Sequence, residues 1–234
     1  MESTREISST SQARRAGEFF SKFTSSALED FSAMEYPSSY AANVVLFTEK
    51  EKVRALLVIL EGEVRLSINS RGGRRLSLRI ARKGDIIGLS SSLSGTPYEM
   101  TAETLYASKI AVIERHEFLG FLARHPDAYH SVTEELGRQM TITGSQLRNL
   151  ALSSSAQEKL AFLLLEWSDR GRPAGSGSQL RFSLTHEEIG NFIGTSRETV
   201  TRTLRNFKNR SLVAFHGSMM TITNRAGLED YAHA

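Results

Sequence analysis

The stretch over residues 184–210 constrains this chain most, because it has the pattern of two helices joined by a tight turn. Thr185 is placed to cap the first helix, and Glu188 stands three residues later, in the capping-box position. Gly194 fits the turn, where glycine adopts a positive φ at little cost. Apolar residues recur at helical spacing in both halves, at Ile189, Ile193, Val200, Leu204 and Phe207. The stretch therefore predicts a helix-turn-helix.

The predicted second helix begins after a cap at Thr195 or Ser196 and presents a polar, mostly basic outer face. From Arg197 to Arg210 the sequence has five basic residues and one acidic residue. A basic helix in this position is typical of proteins that contact the DNA major groove. After the second helix, two short apolar runs on either side of His216 predict a hairpin that would form a wing. A helix-turn-helix that binds only protein is the alternative, and it would be expected to carry apolar residues on the same outer face.

Side chains on this face differ in what they can recognise. We expect base contacts from Arg197, Glu198 and Arg202, since arginine donates two hydrogen bonds to guanine and a carboxylate accepts one from cytosine. Contacts to DNA phosphates are expected from a second set: Ser196, Thr199, Arg205, Lys208 and His216. Two half-sites, each with two guanines and a cytosine on the opposing strand, would lie as an inverted repeat with centres ~34 Å apart.

From Val44 onward the hydrophobic pattern has the two-residue period of β-strands. Residues 56–60 predict a buried strand, and alternating segments at 64–68 and 76–80 predict a hairpin across a glycine turn. The small-residue segment 89–97 is interpreted as a solvent loop. Many short strands with regular turns favour a double-sheet jelly roll. A basic cluster near the hairpin is interpreted as a solvated edge: Arg71, Arg74, Arg75, Arg79, Arg82 and Lys83.

Pro126 opens a long helix that the sequence predicts over residues 127–151. One set of residues on this helix is spaced alternately three and four apart, as in the seam of a coiled coil: Tyr129, Thr133, Leu136, Met140, Thr143, Leu147 and Leu150. The two threonines favour an interface between two copies of the chain, and we therefore expect a homodimer. A helix that faces the core of its own chain is the alternative, since it fits the spacing nearly as well.

Composition excludes several classes of protein. The chain has no cysteine, which excludes disulfides, thiolate zinc sites and cysteine-ligated iron–sulfur clusters. No histidine occurs before His116, so the strands cannot supply the ligands of a cupin-type metalloenzyme, and we expect neither enzyme activity nor a cofactor. The apolar run 55–60 is too short to span a bilayer and no signal peptide is apparent, so we expect a cytoplasmic protein. The net charge of +3 is mild, so DNA binding must come from local clustering.

The residues SRETV, beginning at Ser196, together with a matching arginine at Arg202, closely resemble the recognition helix of the cyclic-AMP receptor protein (Crp/Fnr) family. The resemblance extends from about Phe23 to the end. Residues 1–22 form a polar tail that we expect to be poorly ordered. For the rest of the chain, the resemblance implies an α+β protein. Its parts are a jelly-roll sensor domain over 23–124, a dimerisation helix over 125–153 and a winged helix-turn-helix over 154–234. The resemblance implies a homodimeric transcription regulator that senses a small effector, binds double-stranded DNA at TGTGA-like half-sites and has RNA polymerase as a candidate partner.

The sensor half departs from the family members that bind cyclic AMP. Those members hold the cyclic phosphate with a Gly-Glu pair and, after a short loop, an Arg-Ser pair, where this chain has Gly88-Leu89 and Tyr98-Glu99. A carboxylate would repel the phosphate, and the arginine that would neutralise it is missing. The candidate effector pocket comprises Gly88, Leu89, Ser90, Tyr98, Glu99 and Thr143, but we expect no tight cyclic-AMP binding. The effector stays unidentified, and an effector-independent repressor is the alternative.

Overall fold

The computed structural model describes residues 18–169, 172–174, 177–181, 184–217 and 219–232. The chain divides into two compact units. The first comprises the residues up to Asn69 together with Leu78–Ile142, and the second comprises Ser70–Ser77 and Thr143–Ala234.

The first unit is a double-sheet jelly roll, which confirms the predicted fold. One sheet consists of β1 (Tyr36–Tyr40), β3 (Ala55–Glu61), β6 (Ile86–Ile87) and β8 (Ser108–Glu114), in the order β1-β8-β3-β6. The other consists of β2 (Val45–Phe47), β4 (Glu63–Asn69), β5 (Arg75–Arg82) and β7 (Thr101–Thr104), in the order β2-β7-β4-β5. The helices are α1 (Ser25–Ala33), α2 (Leu89–Ser94), α3 (Arg115–Arg124) and the first part of α4 (Ala128–Leu152).

Strand β3 is buried along nearly its whole length because both of its faces are covered. Leu57 and Ile59 belong to a core cluster that joins the two sheets, whereas Leu56, Val58 and Leu60 belong to a second cluster formed with the helices. Successive side chains of a strand point to opposite faces. A strand between two cores therefore requires a continuous apolar run, as this segment has.

The first unit begins earlier than the sequence predicts. Glu18–Phe20 forms a short 3-10 helix, and Phe19 and Phe20 are each 3% exposed. The ring of Phe20 packs edge-on against Phe31, with centroids 5.2 Å apart. The predicted tail over residues 1–22 is therefore wrong from residue 18 onward, since burying such a ring contributes about 1.5–3 kcal/mol. The predicted disorder of residues 1–17 concerns residues outside the described part of the chain.

Segment 89–97, predicted as a solvent loop, contains helix α2 instead. Gly88 and Gly95 flank the helix in the left-handed conformation, each with a φ of 75°. The Nε–H of Arg115 donates to the carbonyl oxygen of Ser92 at 2.8 Å and holds the end of the helix. Serine favours caps and turns over helix interiors, so packing and not local preference decides this segment.

The basic cluster near the β4–β5 hairpin is only partly solvated. Arg71 and Arg74 are exposed, as predicted, but Arg79 is only 9% exposed. Arg82 is half-buried, and its Nε–H donates to the carboxylate of Glu63 at 3.1 Å. The prediction of a fully solvated edge is wrong for Arg79 and Arg82, because arginine side chains bury their apolar stems against their neighbours.

The second unit is a winged helix-turn-helix built on the end of α4. Its helices are α5 (Ala156–Asp169), α6 (His186–Ile193), α7 (Arg197–Asn209) and α8 (Arg225–Ala232). Its sheet pairs β11 (Val213–His216), β12 (Met219–Ile222), β10 (Gly177–Arg181) and β9 (Arg172–Ala174), in that order. Trp167 on α5 meets Phe192 on α6 edge-on, with ring centroids 5.2 Å apart, and Gln146 on α4 donates to the Phe192 carbonyl at 3.1 Å. These contacts hold α6 in place.

Candidate nucleic-acid interface

Helix α6 begins and ends with the caps that its sequence predicts. The Thr185 hydroxyl accepts a hydrogen bond from the Glu188 N–H at 3.2 Å, and the Glu188 carboxylate accepts one from the Thr185 N–H at 2.7 Å, which confirms the capping box. Gly194 ends the helix with a φ of 66°. A side chain at Gly190 would approach the Thr195 carbonyl oxygen to 2.6 Å, so the close approach of the turn requires glycine there.

Helix α7 has one apolar face in the core of the second unit and one polar face in solvent. Of the two predicted caps, Ser196 is the one used, because its hydroxyl accepts from the Thr199 N–H at 3.3 Å. Val200, Leu204 and Phe207 are buried. The residues expected to contact bases, and two of those expected to contact phosphates, are on the exposed face: Arg197, Glu198, Arg202, Arg205 and Lys208.

The four cations of this face outnumber the one carboxylate, Glu198, that lies among them. Among the described residues, the side chains of Arg197, Arg202, Arg205 and Lys208 form neither a hydrogen bond nor an ion pair. Cations that are close on one helix face repel each other. A polyanion relieves this repulsion, and neutralising its phosphates releases counterions, which drives binding. The face therefore suits an anionic partner such as DNA.

Glu198 lies among these cations and is exposed. Its carboxylate accepts hydrogen bonds from its own backbone N–H and from the Ser196 hydroxyl, and Arg197 adds a favourable charge, so the pKa of Glu198 is lowered. The carboxylate therefore stays ionised at neutral pH and acts only as an acceptor. A hydrogen bond from the N4 amino group of cytosine requires this property.

The residues expected to contact phosphates lie at two places. Ser196 and Thr199 are at the start of α7, where their side-chain oxygens are 3.3 Å apart. Arg205 and Lys208 follow on the exposed face of the same helix. His216 is exposed at the end of β11, next to the turn of the wing. The structure therefore places three of the five on one helix, a fourth at the N-cap of that helix and the fifth on a separate hairpin.

A hydrogen bond between α6 and α7 is not apparent from the sequence. His186, the first residue of α6, has its Nδ1 2.7 Å from the Thr201 Oγ1 on α7. The Thr201 hydroxyl also donates to the carbonyl oxygen of Arg197 at 2.9 Å. His186 and Thr201 are 15 residues apart, so no local pattern signals their contact.

Helix α8 supports the far end of α7. The ring of Tyr231 packs against Phe207 with centroids 5.1 Å apart, and its hydroxyl donates to Asn206 at 3.4 Å. The guanidinium of Arg210 lies 5.7 Å from the centroid of the Tyr231 ring, a distance typical of a cation–π contact. No local pattern in the sequence signals this support, because the contacts join residues from two separate segments.

The long helix α4 exposes the predicted seam. Met140 is 79% exposed, Leu147 65% and Tyr129 49%. Thr133 and Thr143 are exposed, and Leu136 and Leu150 are half-buried. The buried positions of α4 form a different set: Ala128, Ser131, Val132, Glu135, Gln146 and Asn149. Most of the seam is therefore exposed in the single chain, although Leu136 packs against the core cluster formed with the helices.

The space beside Gly88, where the resemblance predicts an effector phosphate, is filled by Tyr98. This tyrosine is 5% exposed, and its ring stacks on Phe47 with centroids 3.9 Å apart. Its hydroxyl donates to the Ala55 carbonyl at 2.6 Å and accepts from the Ala55 N–H at 3.2 Å. A side chain at Gly88 would meet the Tyr98 ring at 3.1 Å, so the ring lies directly against this glycine.

Three other predicted pocket residues, Leu89, Glu99 and Thr143, have different surroundings from Tyr98. Leu89 is 1% exposed and lies in the core cluster formed with the helices, whereas Tyr98 lies in the cluster between the sheets. Glu99 is exposed and accepts from the Ser90 hydroxyl at 3.1 Å. Thr143 is exposed and belongs to the second unit. Leu89 and Tyr98 are therefore core residues, because each packs among apolar neighbours.

Among the described residues, no helix is long and apolar enough to cross a membrane. In the same part of the chain, no group of three or more His, Asp or Glu side chains is arranged to hold a metal ion.

Two family models match this chain. Residues 158–231 match the Crp-like helix-turn-helix domain, and residues 37–125 match the cyclic nucleotide-binding domain. The matches correspond to the second unit and to the jelly roll of the first.

Characterised proteins resemble the chain over most of its length. It is 25% identical over 200 residues to the cAMP-activated global transcriptional regulator CRP of Salmonella typhimurium, covering 85% of this chain and 95% of that protein. It is 26% identical over 211 residues to the CRP-like cAMP-activated global transcriptional regulator of Mycobacterium tuberculosis, covering 90% and 93%. The structure of FixK2 from Bradyrhizobium japonicum has a similar fold, with a TM-score of 0.77 at 21% identity over 86% of this chain and 98% of that one.

Proposed function

Because this chain belongs to the Crp/Fnr family of DNA-binding transcription regulators, we propose that it binds a specific inverted-repeat site as a homodimer through α7. The exposed face of α7 carries this proposal, since its cations form no side-chain hydrogen bond or ion pair among the described residues. RNA polymerase is the candidate partner through which binding would change transcription.

Base recognition is assigned to Arg197, Glu198 and Arg202. Each arginine can donate two hydrogen bonds to the O6 and N7 of a guanine, and the ionised Glu198 can accept one from a cytosine. The half-site should therefore contain two guanines and a cytosine on the opposing strand, which is similar to the family's TGTGA. The second set orients the helix through phosphates: Ser196, Thr199, Arg205, Lys208 and His216.

Dimerisation is assigned to the seam of α4. Met140, Leu147 and Tyr129 expose apolar surface that water solvates poorly, and a second copy of the helix would bury it. A symmetric pair of α4 helices gives two copies of α7, and two copies match an inverted repeat.

Cyclic AMP is not the effector in this proposal. To bind beside Gly88, a nucleotide would have to displace the Tyr98 ring from Phe47 and break two hydrogen bonds to Ala55. The same packing favours effector-independent DNA binding as a second candidate, since the Tyr98 ring occupies the space beside Gly88 without a ligand. Binding of protein alone by the helix-turn-helix is disfavoured, because the exposed face of α7 is charged and polar.

Selection from random double-stranded DNA, followed by fluorescence anisotropy over a salt series, tests the function. We expect an inverted repeat with guanine-containing half-sites and an affinity that falls steeply with salt. The double variant Arg197→Ala/Arg202→Ala should lose the sequence preference. Arg148→Ala, which removes an exposed cation from α4, is the matched control and should retain it. Salt-independent binding, or no enrichment of any sequence, would contradict the proposal.

A further inference from the structure

We infer that His186 is a further DNA contact, and that it binds a backbone phosphate only when its imidazole is protonated. The inference rests on the proposed DNA binding by α7 and adds a chemical condition to it. It would make DNA affinity depend on pH through one identifiable side chain.

Two hydrogen bonds determine where the proton of the neutral imidazole lies. The Thr201 oxygen is 2.9 Å from the carbonyl oxygen of Arg197 and 2.7 Å from Nδ1 of His186. A carbonyl only accepts, so the Thr201 hydroxyl donates its single proton to Arg197. Its oxygen then accepts from His186, and Nδ1 must carry the ring proton.

The other ring nitrogen, Nε2, is left with a lone pair. In the neutral imidazole it can only accept a hydrogen bond, and the oxygens of a DNA phosphate also only accept. The two groups therefore repel each other. The imidazolium form carries a proton on both nitrogens and a positive charge, so a protonated His186 can donate through Nε2 while it keeps its bond to Thr201.

The position of Thr201 puts this ring on the proposed DNA surface. Thr201 stands four residues after Arg197 and four before Arg205, so the three lie in one row along α7. The hydrogen bond to Thr201 places His186 beside that row. Among the described residues the ring has no hydrogen bond besides this one and no ion pair. His186 is half-buried, and its Nε2 has no hydrogen bond to break before it binds a ligand.

Among the described residues, no charged side chain on the helices that pack around His186 forms an ion pair with its Nε2. The described charged residues of α5, α6 and α7 are Glu158, Lys159, Glu166, Asp169, Glu187, Glu188, Arg197, Glu198, Arg202, Arg205 and Lys208. Glu188 is engaged in the cap with Thr185, and Asp169 pairs with Arg225 at 2.7 Å. None of this set forms an ion pair with the His186 ring, so a DNA phosphate would be the first anion to do so.

The experiment compares DNA affinity at two pH values in variants that distinguish the effect of His186 protonation from the effect of its packing. His216 is also a proposed phosphate contact and could add its own pH dependence, so every protein carries His216→Gln. Four proteins are compared: this parent, and the parent with His186→Asn, Thr201→Ser or Thr201→Val. The probe is a fluorescein-labelled duplex of the selected site, measured by anisotropy at about pH 5.5 and about pH 8, the range over which histidines ordinarily titrate.

The parent and Thr201→Ser should bind roughly three- to tenfold more tightly at the lower pH, since both keep the hydroxyl and gain a charged donor. His186→Asn can still donate an amide N–H to Thr201 but does not titrate, so its affinity should change much less. Thr201→Val frees the neutral ring to carry its proton on Nε2. It should therefore bind more tightly than Thr201→Ser at the higher pH and depend less on pH.

A salt series at the lower pH separates a phosphate contact from a structural role. The slope of log affinity against log salt should be steeper for the parent than for His186→Asn by about one per α7 helix, or about two per dimer. Equal pH dependence in these two proteins, or identical behaviour of Thr201→Val and Thr201→Ser, would overturn the inference while leaving the proposed function intact. If no protein bound DNA at either pH, the proposed function would fail. Thermal melting by circular dichroism checks that each variant is folded, and His186→Gln replaces His186→Asn if the latter is not.

Discussion

The Tyr98 hydroxyl makes two hydrogen bonds to the backbone of Ala55, donating to its carbonyl at 2.6 Å and accepting from its N–H at 3.2 Å. Together with the stacking on Phe47, they keep the ring beside Gly88. A cyclic nucleotide cannot enter this space unless the ring leaves it. Isothermal titration calorimetry with cyclic AMP should therefore show no saturable heat at about tens of micromolar nucleotide. A micromolar dissociation constant would show that Tyr98 moves, or that the nucleotide binds elsewhere.

Tyr98→Phe should reduce the free energy of unfolding by roughly 1–3 kcal/mol, because it leaves buried backbone groups of Ala55 without their hydroxyl partner. Urea denaturation followed by circular dichroism measures the change. Tyr36→Phe is the matched control, since Tyr36 is 57% exposed, and it should change stability by less than about 0.5 kcal/mol. Equal effects in the two variants would show that the hydroxyl of Tyr98 contributes nothing specific.

Met140→Asp should disrupt the dimer. The side chain is 79% exposed in the single chain, and in the proposed seam it would face its symmetry mate in a dry interface. An unpaired carboxylate there should cost roughly 3–5 kcal/mol of dimerisation free energy. Light scattering at micromolar concentration should show a dimer for the wild type and a monomer for the variant. Thr141→Asp, at an exposed position of α4 that points away from the seam, should remain dimeric, and a monomeric wild type would rule out the interface.

Arg202→Ala and Lys208→Ala should affect DNA binding in different ways, although both remove an exposed cation from α7. Arg202→Ala should lose roughly 1–3 kcal/mol on the preferred site and tolerate other bases at one position. Lys208→Ala should weaken binding to all sequences alike and reduce the salt slope by about one. Anisotropy titrations with a panel of single-base variants of the site measure both effects. If base preference survived in Arg202→Ala, α7 would not be the helix that contacts the bases.

Asp30 should make stability depend on pH in the acid range. The hydrogen bond from His125 is the main cause that lowers the pKa of Asp30, and the charges of His125 and Arg124 lower it further. Since the folded-state pKa lies below the ordinary value of 3.8, the stabilisation is present above that value and is lost as pH falls through the lowered pKa. Asp30→Asn should therefore lose less stability than the wild type below about pH 4. Urea denaturation across that range tests this, with Asp127→Asn as the control. If the free energy of unfolding of Asp30→Asn fell with pH as steeply as that of the wild type, the prediction would be wrong.

The helix-turn-helix was predictable from the sequence because its signals are local. The capping box joins Thr185 to Glu188, the turn depends on the positive φ of Gly194, and Ser196 caps the N–H three residues ahead. Such contacts form between residues a few positions apart, so their residue types suffice to predict them. The jelly roll was predictable for a related reason, since the two-residue period of side chains along a strand is a property of the extended backbone.

Only the tertiary structure decided which chemically similar residues are buried and what they contact. Tyr98 meets Ala55 across 43 residues of sequence, and Arg65 forms a buried ion pair of 2.9 Å with Glu103 across 38. The seven-residue period of α4 fits a seam that faces solvent and one that faces the core nearly equally well, and the two threonines only favour the first. These outcomes depend on which distant segments the fold brings together, because burial and hydrogen-bond partners are properties of neighbours in space.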